Sequence, residues 1–215
     1  MPFIQNFPSA LLQEHVQWHH ANHHDDPSQL PAGYGAKFMQ FHRYFINKAL
    51  QWYYQQGYDP QLVAPWQSVP EAIRNTSCYN RNAEARLMNN LQSFSTLDQL
   101  GLFIEGSNLH GCIHQEASRI FGENFLNDFD LAPQSTYFYQ IHGMLDQWYK
   151  RWEQLAGQNG FVGGGRGASQ TRKSASTGNR GQVSSAVSSS RRGKKKAQFR
   201  PTAHKWSSKA RNTPE

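Results

Sequence analysis

Ala36-Lys37-Phe38-Met39-Gln40-Phe41-His42-Arg43-Tyr44-Phe45-Ile46-Asn47-Lys48-Ala49-Leu50-Gln51-Trp52-Tyr53 is the stretch from which the rest of the chain can be read. Phe38, Phe41, His42, Phe45, Ile46, Ala49, Leu50 and Tyr53 recur at steps of three and four, so the spacing predicts a helix over 36–56, stopped by Gly57. His42 falls on the apolar face of that helix. An imidazole turned inward needs partners for its ring nitrogens, and neutral imidazole is the commonest protein ligand of metal ions.

Working outward, Ser9 reads as the N-cap of a helix running to about His24, where Asp25-Asp26-Pro27 stops it. Leu11, Leu12, Val16 and Trp18 define its apolar arc. Steps of 100° place His15, His19 and His23 on that arc and turn His20 and His24 toward its edge. Pro60, Pro65 and Pro70 leave 58–80 irregular, and a helix follows near 82–93. Thr96-Leu97-Asp98-Gln99 resembles a capping box opening a short helix to about Glu105. Ser107 then caps a helix through Phe121 that carries His110 and His114 one turn apart. Ser135 or Thr136 opens a last helix with Phe138, Ile141, His142, Leu145, Trp148 and Trp152 inward. No run reads as a strand. The expected fold is all-α, a four-helix-bundle core housing a dinuclear metal site.

Charge divides the chain. Residues 1–160 hold 9 Lys+Arg against 14 Asp+Glu, a balance of −5, whereas 161–215 hold 13 against Glu215 alone, a balance of +12, within a total of +7. Of 28 aromatic residues only Phe161, Phe199 and Trp206 lie in the second part. A segment so poor in apolar groups cannot offset its ordering entropy. The reading is therefore a helical domain over 1–158 and a disordered Gly/Ser-rich basic tail over 159–215. That tail is expected to attract nonspecific anionic partners, nucleic acid or an anionic surface, through counterion release. Arg191 to Lys196 also resembles a nuclear-import patch, relevant only in a eukaryotic host.

Two cysteines, Cys78 and Cys112, allow no disulfide framework and no Cys-x-x-Cys metal motif, and read as free thiols of a reducing compartment. Cys112, between His110 and His114, reads as a small buried hydrophobe rather than a ligand. Met39 and Met144 read as core filler. No signal peptide and no apolar run of membrane-spanning length is visible, so the expectation is a cytoplasmic protein, or a nuclear one in a eukaryote.

Nine of the ten histidines lie in the first 142 residues, in two sets. One is His15, His19, His20, His23 and His24 followed by Phe38-x-Gln40-Phe41-His42. The other is His110-x-x-x-His114 followed by Phe138-x-Gln140-Ile141-His142. Histidines four apart project from one helix face and can share an ion at metal–imidazole distances of ~2 Å. A third ligand then comes from a neighbouring helix, as dinuclear bundle sites require. All-imidazole ligand sets suit copper, zinc, iron or nickel.

These residues resemble the type-3 dicopper family of tyrosinases, catechol oxidases and hemocyanins. Phe38-x-x-Phe41-His42-Arg43-Tyr44-Phe45 looks like the signature at that family's first copper. His110-x-x-x-His114 with Phe138-x-x-x-His142-x-x-x-Asp146, Trp148 and Trp152 looks like the signature at its second. The resemblance spans roughly 10–156. It implies two copper ions that bind O₂ as co-substrate and oxidise a small phenolic substrate (a phenol, catechol or aminophenol), or else a non-catalytic dioxygen or metal binder of the same fold. It further implies that His110, His114 and His142 hold the second copper, that His42 holds the first, and that Arg43 and Asp146 are structural partners.

Two departures stand out. Gly33 occupies the position where bacterial tyrosinases usually carry a further histidine, so the upstream cluster must complete the first site. His19 and His23 are the expected pair, with His15 and His19 as the close alternative and His20 and His24 as the third. Gly111 stands where monophenol-hydroxylating enzymes often have Asn, a departure that weighs against monophenol hydroxylation and leaves diphenol oxidation open. Glu105, at a helix end, reads as a solvated carboxylate, although the resemblance offers it a water-orienting role at the second copper.

Overall fold

A computed structural model describes residues 2–24 and 26–158. The expectations of a disordered tail, of anion binding by it and of an import patch, together with His204, all fall outside the described residues. Among the described residues there are seven α-helices: α1 (Ser9–Asn22), α2 (Tyr34–Gln55), α3 (Glu71–Arg74), α4 (Arg81–Asn89), α5 (Leu97–Gly106), α6 (Leu109–Phe121) and α7 (Thr136–Gln158), with short 3₁₀ turns between them. Among the described residues the only β feature is an isolated bridge between Phe3 and Ser135, through which the N-terminal segment pairs with the start of α7. The architecture is all-α, and the six key histidines come from the bundle helices α1, α2, α6 and α7. No described helix is long and apolar enough to cross a membrane.

Local chemistry sets the helix ends. Gly33, in the left-handed region at φ 86°, precedes α2. The Asp98 carboxylate, from the first turn of α5, accepts from Gly33 N at 2.9 Å and Ala36 N at 3.1 Å. It thus satisfies orphan donors at the start of a different helix. Thr96 caps α5 as expected, with Gln99 N donating to Thr96 Oγ1 at 3.2 Å, while the Gln99 side chain answers to Ser95 N at 2.8 Å. Two caps differ from expectation. Pro8, not Ser9, precedes α1, and Leu12 N donates to Pro8 O. Asn108 rather than Ser107 precedes α6, at φ 56°.

The α2–α5 crossing is a glycine-on-glycine contact. A Cβ on Gly35 would overlap the backbone of Asp98 and Leu102, and one on Gly101 would overlap the backbone of Gly35. Helix α5 is thereby brought close enough to α2 for its own C-terminus to reach the histidines. Across the other side of α2, Arg43 ties the bundle together. Its Nε meets Asp146, its Nη1 meets Glu153 at 2.9 Å, and its guanidinium lies 3.4 Å over the Tyr149 ring. The inward residues expected for α7, from Phe138 to Trp152, are all buried.

The cysteines correct the sequence reading. Cys78 and Cys112 are joined as a disulfide that pins α6 to the loop before α4. Neither is a free thiol. A count of two could not reveal this, because pairing depends on two Cα positions 34 residues apart in sequence arriving 5.8 Å from each other.

Candidate metal centre

Two trios of histidine are the two groups among the described residues placed to hold a metal: His15, His19 and His42, and His110, His114 and His142. Within each trio the candidate ligand atoms all lie within 4.8 Å of one another. Each trio takes an i, i+4 pair from one helix and one histidine from the next long helix. The spacing explains the pairs, since residues four apart stack on one helix face.

Ring orientation is fixed from behind. His15 Nδ1 bonds Phe129 O, His42 Nδ1 bonds Phe38 O and His114 Nδ1 bonds Leu126 O, each at 2.9 Å. A carbonyl oxygen only accepts, so each of these rings carries its proton on Nδ1 and turns a bare Nε2 lone pair inward. His110 Nδ1 lies 2.6 Å from Glu105 Oε1. The inward nitrogens then converge. His19 Nε2 is 3.3 Å from His42 Nε2, and His142 Nε2 is 3.4 Å from His110 Nε2 and 3.2 Å from His114 Nε2. Nitrogens bound tetrahedrally at ~2 Å from one ion sit ~3.3 Å apart.

Proton bookkeeping shows what the trios lack. In the first, His15 and His42 both present lone pairs, and only His19 has a proton to offer. His15 Nε2 is buried with no hydrogen-bond partner. In the second, His114 likewise presents a lone pair, and His142 Nδ1 is buried with no hydrogen-bond partner. Buried acceptors left in this state are costly, and a cation at the centre of each trio would satisfy all three. The donor set therefore fits a metal ion. Three imidazoles leave a fourth position open, the arrangement of catalytic rather than closed structural sites.

Electrostatics agree. Burial holds His42 and His110 down to about 3, and holds His15, His19, His114 and His142 well below the usual imidazole range, with neighbouring imidazoles adding to the effect in most of them. Neutral imidazole is the ligating form. Burial also pushes the Glu105 carboxyl up to about 8, with His42 pulling it back.

The two trios adjoin. The His42 and His142 rings stack with centroids 4.5 Å apart and 9° between planes, and His42 lies 6.4 Å from His110. Phe38 and Phe138 occupy matching places one turn before His42 and His142, at 4.5 and 4.2 Å from those rings. Phe129 lies flat on His19 at 5.1 Å and is itself 5% exposed.

Five of the six expected site residues, His19, His42, His110, His114 and His142, fall in the trios; His23 does not. Helix α1 ends at Asn22, and His23 takes an extended backbone (ψ 138°) that carries it off the helical arc to an exposed position near Phe129. Its place belongs to His15, the alternative pairing with His19. The available signal was the Pro27 stop together with Leu11, which puts His15 at the centre of the buried arc. His20 instead meets Asp130 at 2.9 Å, and His24 faces Tyr34. Glu105 also departs from expectation: it is not solvated, because the left-handed turn at Asn108 folds the end of α5 against the start of α6.

No family model, no curated protein and no solved structure matches this chain.

Proposed function

We propose that this protein is a dicopper oxidase of the tyrosinase and catechol-oxidase type, using O₂ to oxidise a phenol, catechol or aminophenol. The observation that carries the reading is the junction of two neutral imidazole trios through the stacked His42 and His142 rings. A pair of copper ions, when bound, supplies the redox chemistry and the template that grips both atoms of O₂. The chain supplies the rest. His15, His19 and His42 would hold one ion, and His110, His114 and His142 the other. The carbonyls of Phe38, Leu126 and Phe129 aim the rings, and Phe38 and Phe138 keep water from the space between. The Cys78–Cys112 disulfide favours an oxidising compartment over the cytoplasm expected from the sequence. The basic segment 161–215 is proposed to attract anions, an effect that salt would weaken.

One observation favours a second reading, a dioxygen or metal binder without catalysis. Phe129 covers His19, and none of the six imidazole rings exceeds 8% exposure, which would keep a phenolic ring out. Copper stoichiometry with an O₂-dependent near-ultraviolet band tests the shared centre: two coppers per chain and the band are expected, and zinc or a single ion would sink it. Conversion of a catechol to its quinone, lost in His142→Ala, then supports the oxidase. Reversible O₂ binding with no quinone formed supports the carrier.

A further inference from the structure

The two trios are built alike except behind one ring. His15, His42 and His114 give their Nδ1 protons to main-chain carbonyls, whereas beside His110 the Glu105 carboxyl makes an ion-pair contact, Oε1 lying 2.6 Å from Nδ1, rather than an aligned hydrogen bond. Glu105 reaches that ring because α5 ends in the tight turn at Asn108 and is locked against α2 by the Gly35–Gly101 contact. Its side chain is 12% exposed, so water competes little for the contact. A carboxyl group beside a ligating imidazole helps to fix the ring in its ligating orientation and, once ionised, makes the metal-facing nitrogen more basic than a carbonyl does.

We propose that Glu105 is a positioning residue that makes the two metal positions unequal, so that the His110–His114–His142 trio binds its ion more tightly and fills first. This inference rests on the proposed metal centre. It predicts an order of loading that the near-symmetry of the six histidines would not produce by itself.

The test uses the full chain, stripped of metal and titrated with Cu(II) alone. His42→Ala leaves the second trio complete, and His142→Ala leaves the first. The second trio is expected to bind Cu(II) more tightly. Glu105→Gln, which keeps size and a hydrogen-bond acceptor but cannot ionise, should weaken binding about 10–100-fold in the His42→Ala background and leave it largely unchanged in the His142→Ala background. Pulsed electron paramagnetic resonance on the His42→Ala protein reads the non-coordinating nitrogens of the bound imidazoles. Glu105→Gln should shift the signal of one of them, a change that a purely structural role for Glu105 would not produce. Equal affinities that ignore Glu105→Gln overturn the role of Glu105 while leaving the metal centre standing. Equal weakening of both trios marks a general folding defect and also overturns it. Failure of either trio to bind Cu(II) in any background removes the metal centre itself.

Discussion

His42 and His142, a hundred positions apart in sequence, lie ring on ring with centroids 4.5 Å apart and planes within 9°. Each is the third member of its own trio, so the contact joins two ligand sets across the α2–α7 face. The Arg43–Asp146 pair, one residue and four residues further along these helices, fastens the same face at its rim. The register of α2 on α7 therefore decides whether two metal positions are neighbours or strangers.

The composition of the first trio has a direct test. His15→Ala should lower copper content from two ions per chain to one, whereas His23→Ala should leave it at two. Metal analysis of both purified variants checks this, and the reverse pattern would restore the pairing of His19 with His23.

Stability of the metal-free protein should fall on acidification. His42 and His110 are held at about 3 in the fold against about 6.5 unfolded, so the unfolded chain binds the extra protons between those values. The stability they contribute is present above pH 6.5 and is lost as pH drops toward 3. Glu105, raised to about 8, works in the opposite sense, costing stability as pH rises from 4.5 to 8. Thermal melts across pH 4–9 should show their maximum near pH 6.5, falling on both sides. Copper should stabilise the fold most where the imidazoles are neutral, by about 4 kcal/mol per site at a concentration a thousandfold above its dissociation constant.

Reduction of the Cys78–Cys112 bridge should destabilise the domain. Closing a loop with a sequence separation of 34 is worth about 3–4 kcal/mol in chain entropy, or a fall of about 10 °C in melting temperature for a domain of this size. Melts of Cys78→Ser with and without dithiothreitol check it: reductant should lower the parent protein to the level of the variant and leave the variant unmoved. A thiol titration of the unreduced native chain should find no reactive cysteine.

Gly101→Ala should destabilise the fold by more than about 2 kcal/mol, because its methyl meets Gly35 backbone, which cannot swing aside as a side chain would. The same variant should loosen α5 and with it Glu105. Urea unfolding gives the stability change, and the affinity of the His110 trio for Cu(II) gives the second effect.

Helix α2 could be read from sequence because its apolar residues keep one period for about four turns, from Phe38 to Tyr53, and Gly57 ends them cleanly. Helix α7 was legible for the same reason. The His110–His114 pair stood out because it is isolated. The upstream cluster was harder: five histidines in ten residues satisfy several one-turn pairings, and the end of α1 at Asn22, not composition, decides among them. Glu105 and the disulfide were illegible for a different reason. Both depend on where a turn or a loop delivers a side chain in space, and a period of 3.6 carries no such information.

Each imidazole trio closes over a short span, from 15 to 42 and from 110 to 142, while the stacked rings that join them close a span of a hundred. Loop entropy and contact order make short spans quick to close and long ones slow. During folding, each half can gather its own histidines before meeting the other. An ion captured early would then sit in one half alone, and the shared pocket would come into being only at the last docking step.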